Sequence, residues 1–190
     1  MLIEPATPRD LEDLADLLVD AVQGGACLGF LAGLTVSDAL TFWTSEIEGA
    51  KTLVARLRPE DRAVAVVQLH APKLSNGRHR AEVAKLLVHR SARRGGVAKA
   101  LMVEVERQAA LAGRWLLQLD TETGSAAETL YRRLGWQVVG VIPDHAVRPN
   151  GDLVPTTFLF KRLEIKANHP PVVDDGGPTC RSGNDERETC

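Results

Sequence analysis

LVHRSARRGGVAKALM, residues 87–102, decides how this chain folds. Leu87 and Val88 close an apolar run that begins at Arg80 and reads as a strand. A basic loop with Arg93-Arg94-Gly95-Gly96 follows, and then Val97, Leu101, Val105, Ala109 and Leu111 recur at helical spacing up to Gly113. A strand, a short glycine loop and a helix start gather unpartnered N–H groups at the positive end of a helix dipole, which makes an anion site. Gly95 and Gly96 allow close backbone approach, and Arg93 and Arg94 add charge. GxxxxGK[ST] is absent and so is GxGxxG, so neither a Walker A loop nor a dinucleotide fold is indicated. The plainer alternative is a solvated basic turn at the start of an ordinary helix.

On the N-terminal side, Leu2 to Glu4 predicts a strand. Thr7-Pro8-Arg9-Asp10 predicts the start of a helix that carries Leu11, Leu14, Leu17, Leu18 and Val22 and stops at Gly24-Gly25. A second helix is expected from Ser37 to Gly49, then strands at Lys51–Arg56, Arg62–His70 and Arg80–His89, the last two separated by Pro72 and Ser75-Asn76-Gly77. On the C-terminal side come a strand at Trp115–Asp120 and a helix opened by the capping box Ser125–Glu128 and closed by Gly135. Strands at Gln137–Ile142 and Val154–Lys161 complete the order βααβββαβαββ, a mixed α/β sheet in one domain over residues 1–163.

The 190 residues suit one domain; 44% are hydrophobic and only 4% aromatic, so the core is built from Leu, Val and Ala. A net charge of -2 argues against general nucleic-acid binding. No apolar run approaches a membrane span, and MLIEPATPRDLEDL carries acids where a signal peptide needs a basic patch, so a cytoplasmic protein is expected. Residues 164–190 hold three prolines, three glycines and six acids against three bases, and read as a disordered tail. Cys27, Cys180 and Cys190 can form neither a disulfide framework nor a four-ligand zinc site; the two tail thiols are read as exposed and reduced, an intermolecular bridge being the other possibility. His70, His79, His89 and His145 lack metal-ligand spacing, so they are taken as structural or surface groups and no metal is expected.

Arg93-Arg94-Gly95-Gly96-Val97-Ala98 is similar to the R-x-x-G-x-G/A loop of GCN5-related N-acetyltransferases (GNAT), and AETLYRRLGW at 127–136 to that family's A-x-x-x-Y-x-x-x-G-F/W helix. The order and separation of the two motifs also match, and the resemblance spans residues 2–163. It implies a mainly antiparallel sheet flanked by helices, and acetyl-CoA as acetyl donor. The pyrophosphate would lie on the N–H groups of Gly95, Gly96, Val97, Ala98 and Lys99 near Arg93 and Arg94. Leu86, Leu87 and Val88 would pair with the pantetheine arm like an added strand; Arg90 and Lys99 are candidates to meet the adenosine phosphate, solvated surface cations being the plainer reading of both. GGACLGF (24–30), NGRHRAEVAKLLV (76–88) and LDTETGSAAETLY (119–131) resemble tabtoxin-resistance acetyltransferases, which act on a β-lactam amino-acid toxin. Many members of the wider family have Asn where this chain has Gly124, so no side-chain contact to the pantetheine is expected there.

Acetyl transfer to an amine needs a proton removed, an oxyanion stabilised and a thiolate released. An aliphatic amine of pKa around 10 is mostly protonated at neutral pH, so a carboxylate acting directly or through water helps. Glu82 and Asp120, expected beside the cleft where parallel strands splay, are the candidates, and the narrower resemblance implies a base role for both. Tyr131 holds the family's general-acid position. A backbone N–H around Leu87 is the candidate oxyanion donor. The structural alternatives are an exposed strand Glu, an Asp at a loop turn and a core Tyr. The loop Gly24–Phe30, with Trp43 nearby, would line the acceptor side, an ordinary interhelical loop with a core tryptophan being the alternative. The expected partner is a small-molecule amine, with a homodimer through the valine-rich late strands as a further possibility. A peptide acetyltransferase and a catalytically silent acyl-CoA-binding protein are the alternative functions.

Overall fold

The computed structural model describes residues 1–164. The tail expected at 164–190, with Cys180 and Cys190, therefore lies outside the described residues apart from Glu164. The elements are β1 (Leu2–Pro5), α1 (Leu11–Gln23), α2 (Val36–Glu46), β2 (Lys51–Arg56), β3 (Ala65–His70), β4 (Arg80–Val88), α3 (Val97–Leu111), β5 (Leu116–Glu122), α4 (Ala126–Arg133), β6 (Gln137–Val147) and β7 (Leu153–Arg162). Their order is the one the sequence predicts.

Caps set most of the boundaries. Thr7 and Asp10 form a capping box around a 3-10 turn, with Thr7 N–H donating to Asp10 Oδ2 at 2.7 Å, and α1 starts one residue later. α2 begins at Val36 rather than Ser37 because Thr35 Oγ1 accepts from Asp38 N–H at 3.1 Å. Ser125 Oγ caps α4 by accepting from Glu128 N–H at 3.1 Å. β3 begins at Ala65, not Arg62. The Arg62 guanidinium is drawn to Asp13 and Asp16 on α1, and Ala63 N–H donates to Asp13 at 2.7 Å, which takes that stretch out of the sheet.

The sheet runs β1-β2-β3-β4-β5-β7-β6, and every pairing is antiparallel except β4 with β5. β6 is an edge strand and so tolerates Pro143, which is why it extends to Val147 instead of ending at Ile142. Alternating side chains build a core on each face. Leu53, Val67, Leu117, Leu119 and Leu159 meet Leu101 and Met102 of α3, whereas Val54, Val66 and Leu87 meet Leu14, Leu18 and Trp43 of α1 and α2. Trp43 is 0% exposed and belongs to this second core, not to an acceptor wall.

Candidate active site

Between β4 and α3 the backbone turns sharply: Arg94 and Gly96 have φ of +65° and +79°. The first bond into α3 is donated by Ala100 N–H to Gly96 O at 3.0 Å, so the N–H groups of Val97, Ala98 and Lys99 are left to an external acceptor. The Val97 side chain is buried in the core, so only its backbone can serve a ligand, while Arg94, Gly95, Gly96 and Lys99 are exposed. Arg93 Nε donates to Val88 O at 3.1 Å, and its Nη2 lies 3.8 Å from Asp20 on α1. Arg90 pairs with Asp20 through its guanidinium and donates its N–H to the same carboxylate at 3.1 Å. That partner draws Arg90 away from the role of phosphate cation, and Asp20 emerges as the residue that braces the loop. Sequence reading had no signal for Asp20, because the pairing joins residues far apart in the chain.

A groove of about 560 Å³ leads from this loop into the sheet, bordered by Arg93, Ala98, Leu86, Leu87, Val88 and Tyr131. It exists because β4 and β5 pair only over Arg80–Glu82 with Leu116–Gln118 and then part. The later edge of β4 faces the gap. His89 N–H donates to Val64 O, so by alternation Leu87 N–H also turns toward β3, and the N–H groups of Leu86 and Val88 turn toward the groove. Of the N–H groups around Leu87, those one residue to either side are the ones that face the groove. Tyr131 is 6% exposed and packs on the α3 side with Trp136. Burial, and secondly the charge of Asp120, push the phenol pKa up, so it keeps its proton. Gly124 has φ of +77° and gives its N–H to Glu128 at 2.6 Å, which explains why a side chain is not needed there.

Glu82 and Asp120 lie on the opposite face of the sheet from Tyr131. Their neighbours Ala81, Val83 and Leu119 point into the α3-side core, so they themselves point away from it. Both border a cavity of about 530 Å³ with Cys27, Lys85 and His145. Asp120 also borders the groove, so the splayed strands join the two chambers through the sheet. Cys27, Leu28 and Gly29 supply one wall, where the α1–α2 loop was expected. Burial, with Glu122 next, pushes the Cys27 thiol up, so it stays protonated and donates to Val147 O at 3.2 Å. Lys85 stands at a bulge in β4 with φ of +51°. Its ammonium donates to Leu28 O at 3.1 Å over the rings of Phe30 and Phe42, and burial pushes its pKa down. Among the described residues neither Glu82 nor Asp120 has an ion-pair partner. His145, taken from sequence as a structural or surface group, also borders this cavity.

The acetyltransferase (GNAT) domain family matches residues 38–138, more than half of the chain. Among solved structures, the chain is similar to a ribosomal-protein-alanine N-acetyltransferase from Brucella melitensis (24% identity, 86% of this chain and 100% of that one, TM-score 0.72). It is also similar to a phosphinothricin acetyltransferase from Sinorhizobium meliloti in complex with acetyl-CoA (20%, 90% and 92%, TM-score 0.74). A GNAT-family acetyltransferase from Streptococcus pneumoniae aligns as well (22%, 85% and 99%, TM-score 0.70). At these identities the likeness concerns the fold, and acceptors as different as a ribosomal protein and phosphinothricin are named among proteins of similar score. A family match that covers both motifs, on a sheet that splays beside a phosphate-ready helix start, has one conclusion: the chain belongs to the GNAT family of acetyltransferases, enzymes that transfer an acetyl group from acetyl-CoA to an amine.

Proposed function

We propose that this protein acetylates the primary amine of a small molecule, with amino-acid-like toxins or antibiotics as the acceptor class and the cytoplasm as its location. One observation carries the small-molecule reading: two walls of the acceptor cavity, the α1–α2 loop and the end of β6, are tied to each other. Cys27 Sγ donates to Val147 O, both of which border the cavity, and nearby Ala32 N–H of the same loop donates to Pro149 O of the β6–β7 turn at 3.0 Å. An extended peptide needs a groove open at both ends, and walls tied in this way favour a compact acceptor. The amino-acid-like part of the reading rests on the resemblance of residues 24–30, 76–88 and 119–131 to tabtoxin-resistance enzymes.

Acetyl-CoA fits the groove: free N–H groups stand at its mouth, and a strand edge runs along its side. When bound it supplies the acetyl thioester. The N–H groups of Gly95 to Lys99, with Arg93 and Arg94, would hold its pyrophosphate, and Leu86 to Val88 its pantetheine amides. Glu82 and Asp120 attract the acceptor ammonium and favour loss of its proton. Tyr131 donates toward the departing sulfur. The exposed Val139 and Val141 on β6 support pairing of two copies along that edge.

The test is a panel of amino-acid-like amines, antibiotic amines and short peptides, with release of CoA thiol followed. Turnover of small amines and none of the peptides is expected. Preference for a peptide N-terminus or lysine would overturn the small-molecule reading, and thiol release with no amine would leave only a CoA-binding protein.

A further inference from the structure

After a one-residue slip between Val138↔Leu159 and Gly140↔Phe158, β6 and β7 stay in register as far as Ile142↔Thr156, but the next pair is Ala146↔Val154, so β6 takes four steps where β7 takes two. Asp144, inside this bulge, has φ of +51°, a conformation that costs a non-glycine residue energy. Bulges beside active sites re-aim side chains, and the one re-aimed here is His145. Its Nδ1 lies 3.1 Å from Thr156 Oγ1, and its ring meets Phe158 edge-on with centroids 5.3 Å apart. Thr156 and Phe158 stand opposite Glu122 and Asp120 of β5, so His145 rests on the sheet face that carries those carboxylates. It borders the acceptor cavity with Glu82 and Asp120, and its Nε2 has no hydrogen-bond partner among the described residues.

We propose that His145 is the group that accepts the acceptor's proton, while Glu82 and Asp120 hold the ammonium for it. The assignment rests on the amine-acetylation reading above. Proton transfer from an aliphatic ammonium to an ordinary carboxylate is about six pK units uphill, and to an ordinary imidazole about four. With Thr156 Oγ1 accepting from Nδ1–H, Nε2 keeps its lone pair. The ammonium N–H bond breaks, an Nε2–H bond forms, and the electron pair stays on the amine nitrogen as the nucleophile. The imidazolium then returns its proton to water. The charged and titratable groups that border the cavity with His145 are Glu82 and Lys85 from β4, Asp120 from β5 and Cys27 from the α1–α2 loop; Glu122 and Arg148 lie near Cys27, and Asp144 precedes His145 on its own strand. Glu122 pairs with Arg148 and Lys85 is held by Leu28 O, so Glu82 and Asp120 are the carboxylates left to balance an imidazolium.

The experiment measures kcat, KM and acetyl-CoA affinity from pH 5.5 to 9 for the wild type, His145→Gln and Thr156→Val, using the best amine of the panel. An acid limb is expected in the wild-type profile and lost in His145→Gln. At pH 7 kcat should fall by about 10²-fold or more, with acetyl-CoA affinity intact. Thr156→Val, which keeps the imidazole but frees its ring, should lower kcat by roughly tenfold and retain the limb, and it decides the matter if His145→Gln does not fold. A His145→Gln enzyme that keeps the acid limb, or one that raises KM alone, overturns the assignment while amine acetylation stands. A wild type inert toward every amine overturns the underlying reading and this assignment with it.

Discussion

Glu82 and Gln118 are the last residues at which β4 and β5 remain in register. Beyond them each strand follows its outer neighbour. β5 stays paired with β7 through Glu122↔Thr156, and β4 bulges at Lys85 to keep its contacts with β3. The parting opens a passage through the sheet, with Tyr131 on one side and Glu82 on the other. Asp120, just past the fork, borders both chambers.

Gly96→Glu should weaken acetyl-CoA binding at least tenfold by calorimetry, because it sets a carboxylate where phosphate is expected. Gly96→Ala imposes the same backbone strain at φ of +79° without the charge, so it should bind more tightly than the Glu variant. Equal affinities for the two variants would sink the phosphate assignment.

Tyr131→Phe keeps the buried ring and removes only the phenolic proton. A fall in kcat within the ~10²–10⁴ range of acid–base groups is expected, with acetyl-CoA affinity little changed. Near-wild-type turnover would return Tyr131 to the status of a core aromatic.

Glu82→Gln and Asp120→Asn should each lower kcat/KM at neutral pH, and the double variant should be little worse than the poorer single one. Two carboxylates that hold one ammonium act as a unit, and such groups are strongly non-additive. Independent, multiplying losses would show that they serve different steps.

Asp20→Asn tests the brace under the phosphate loop. Burial pushes the Asp20 carboxyl up, but the hydrogen bonds from Arg90 outweigh it and hold the pKa below the ordinary aspartate value. A depressed pKa adds stability that is complete above the unfolded value near ~4 and is lost as pH falls through the folded value. Because Arg90 is half exposed, the loss at pH 7 should be only about 1 kcal/mol. Urea melts should show that difference shrinking below about pH 4, and a gap that persists at low pH would mean the bond is not carried by the charge.

Local pattern made much of this protein readable from sequence. Helical spacing in α1 and α3, the box Ser125–Glu128 and the glycines at 96 and 135 act within a few residues of themselves, so element order, the glycine loop before α3 and the family motifs were legible. The choice of core over acceptor wall for Trp43, the binding of Arg90 to Asp20, and the place of His145 beside Glu82 and Asp120 were not. Each depends on a partner far along the chain or, for His145, on a two-residue slip between β6 and β7. Periodicity says which side of a strand a residue takes but not where the ladder breaks. The chain by itself determined which elements form and that a glycine loop leads into the start of α3. Only the tertiary structure decided which side chains share the cavity, because that depends on where β4 parts from β5 and how the loops close over the gap.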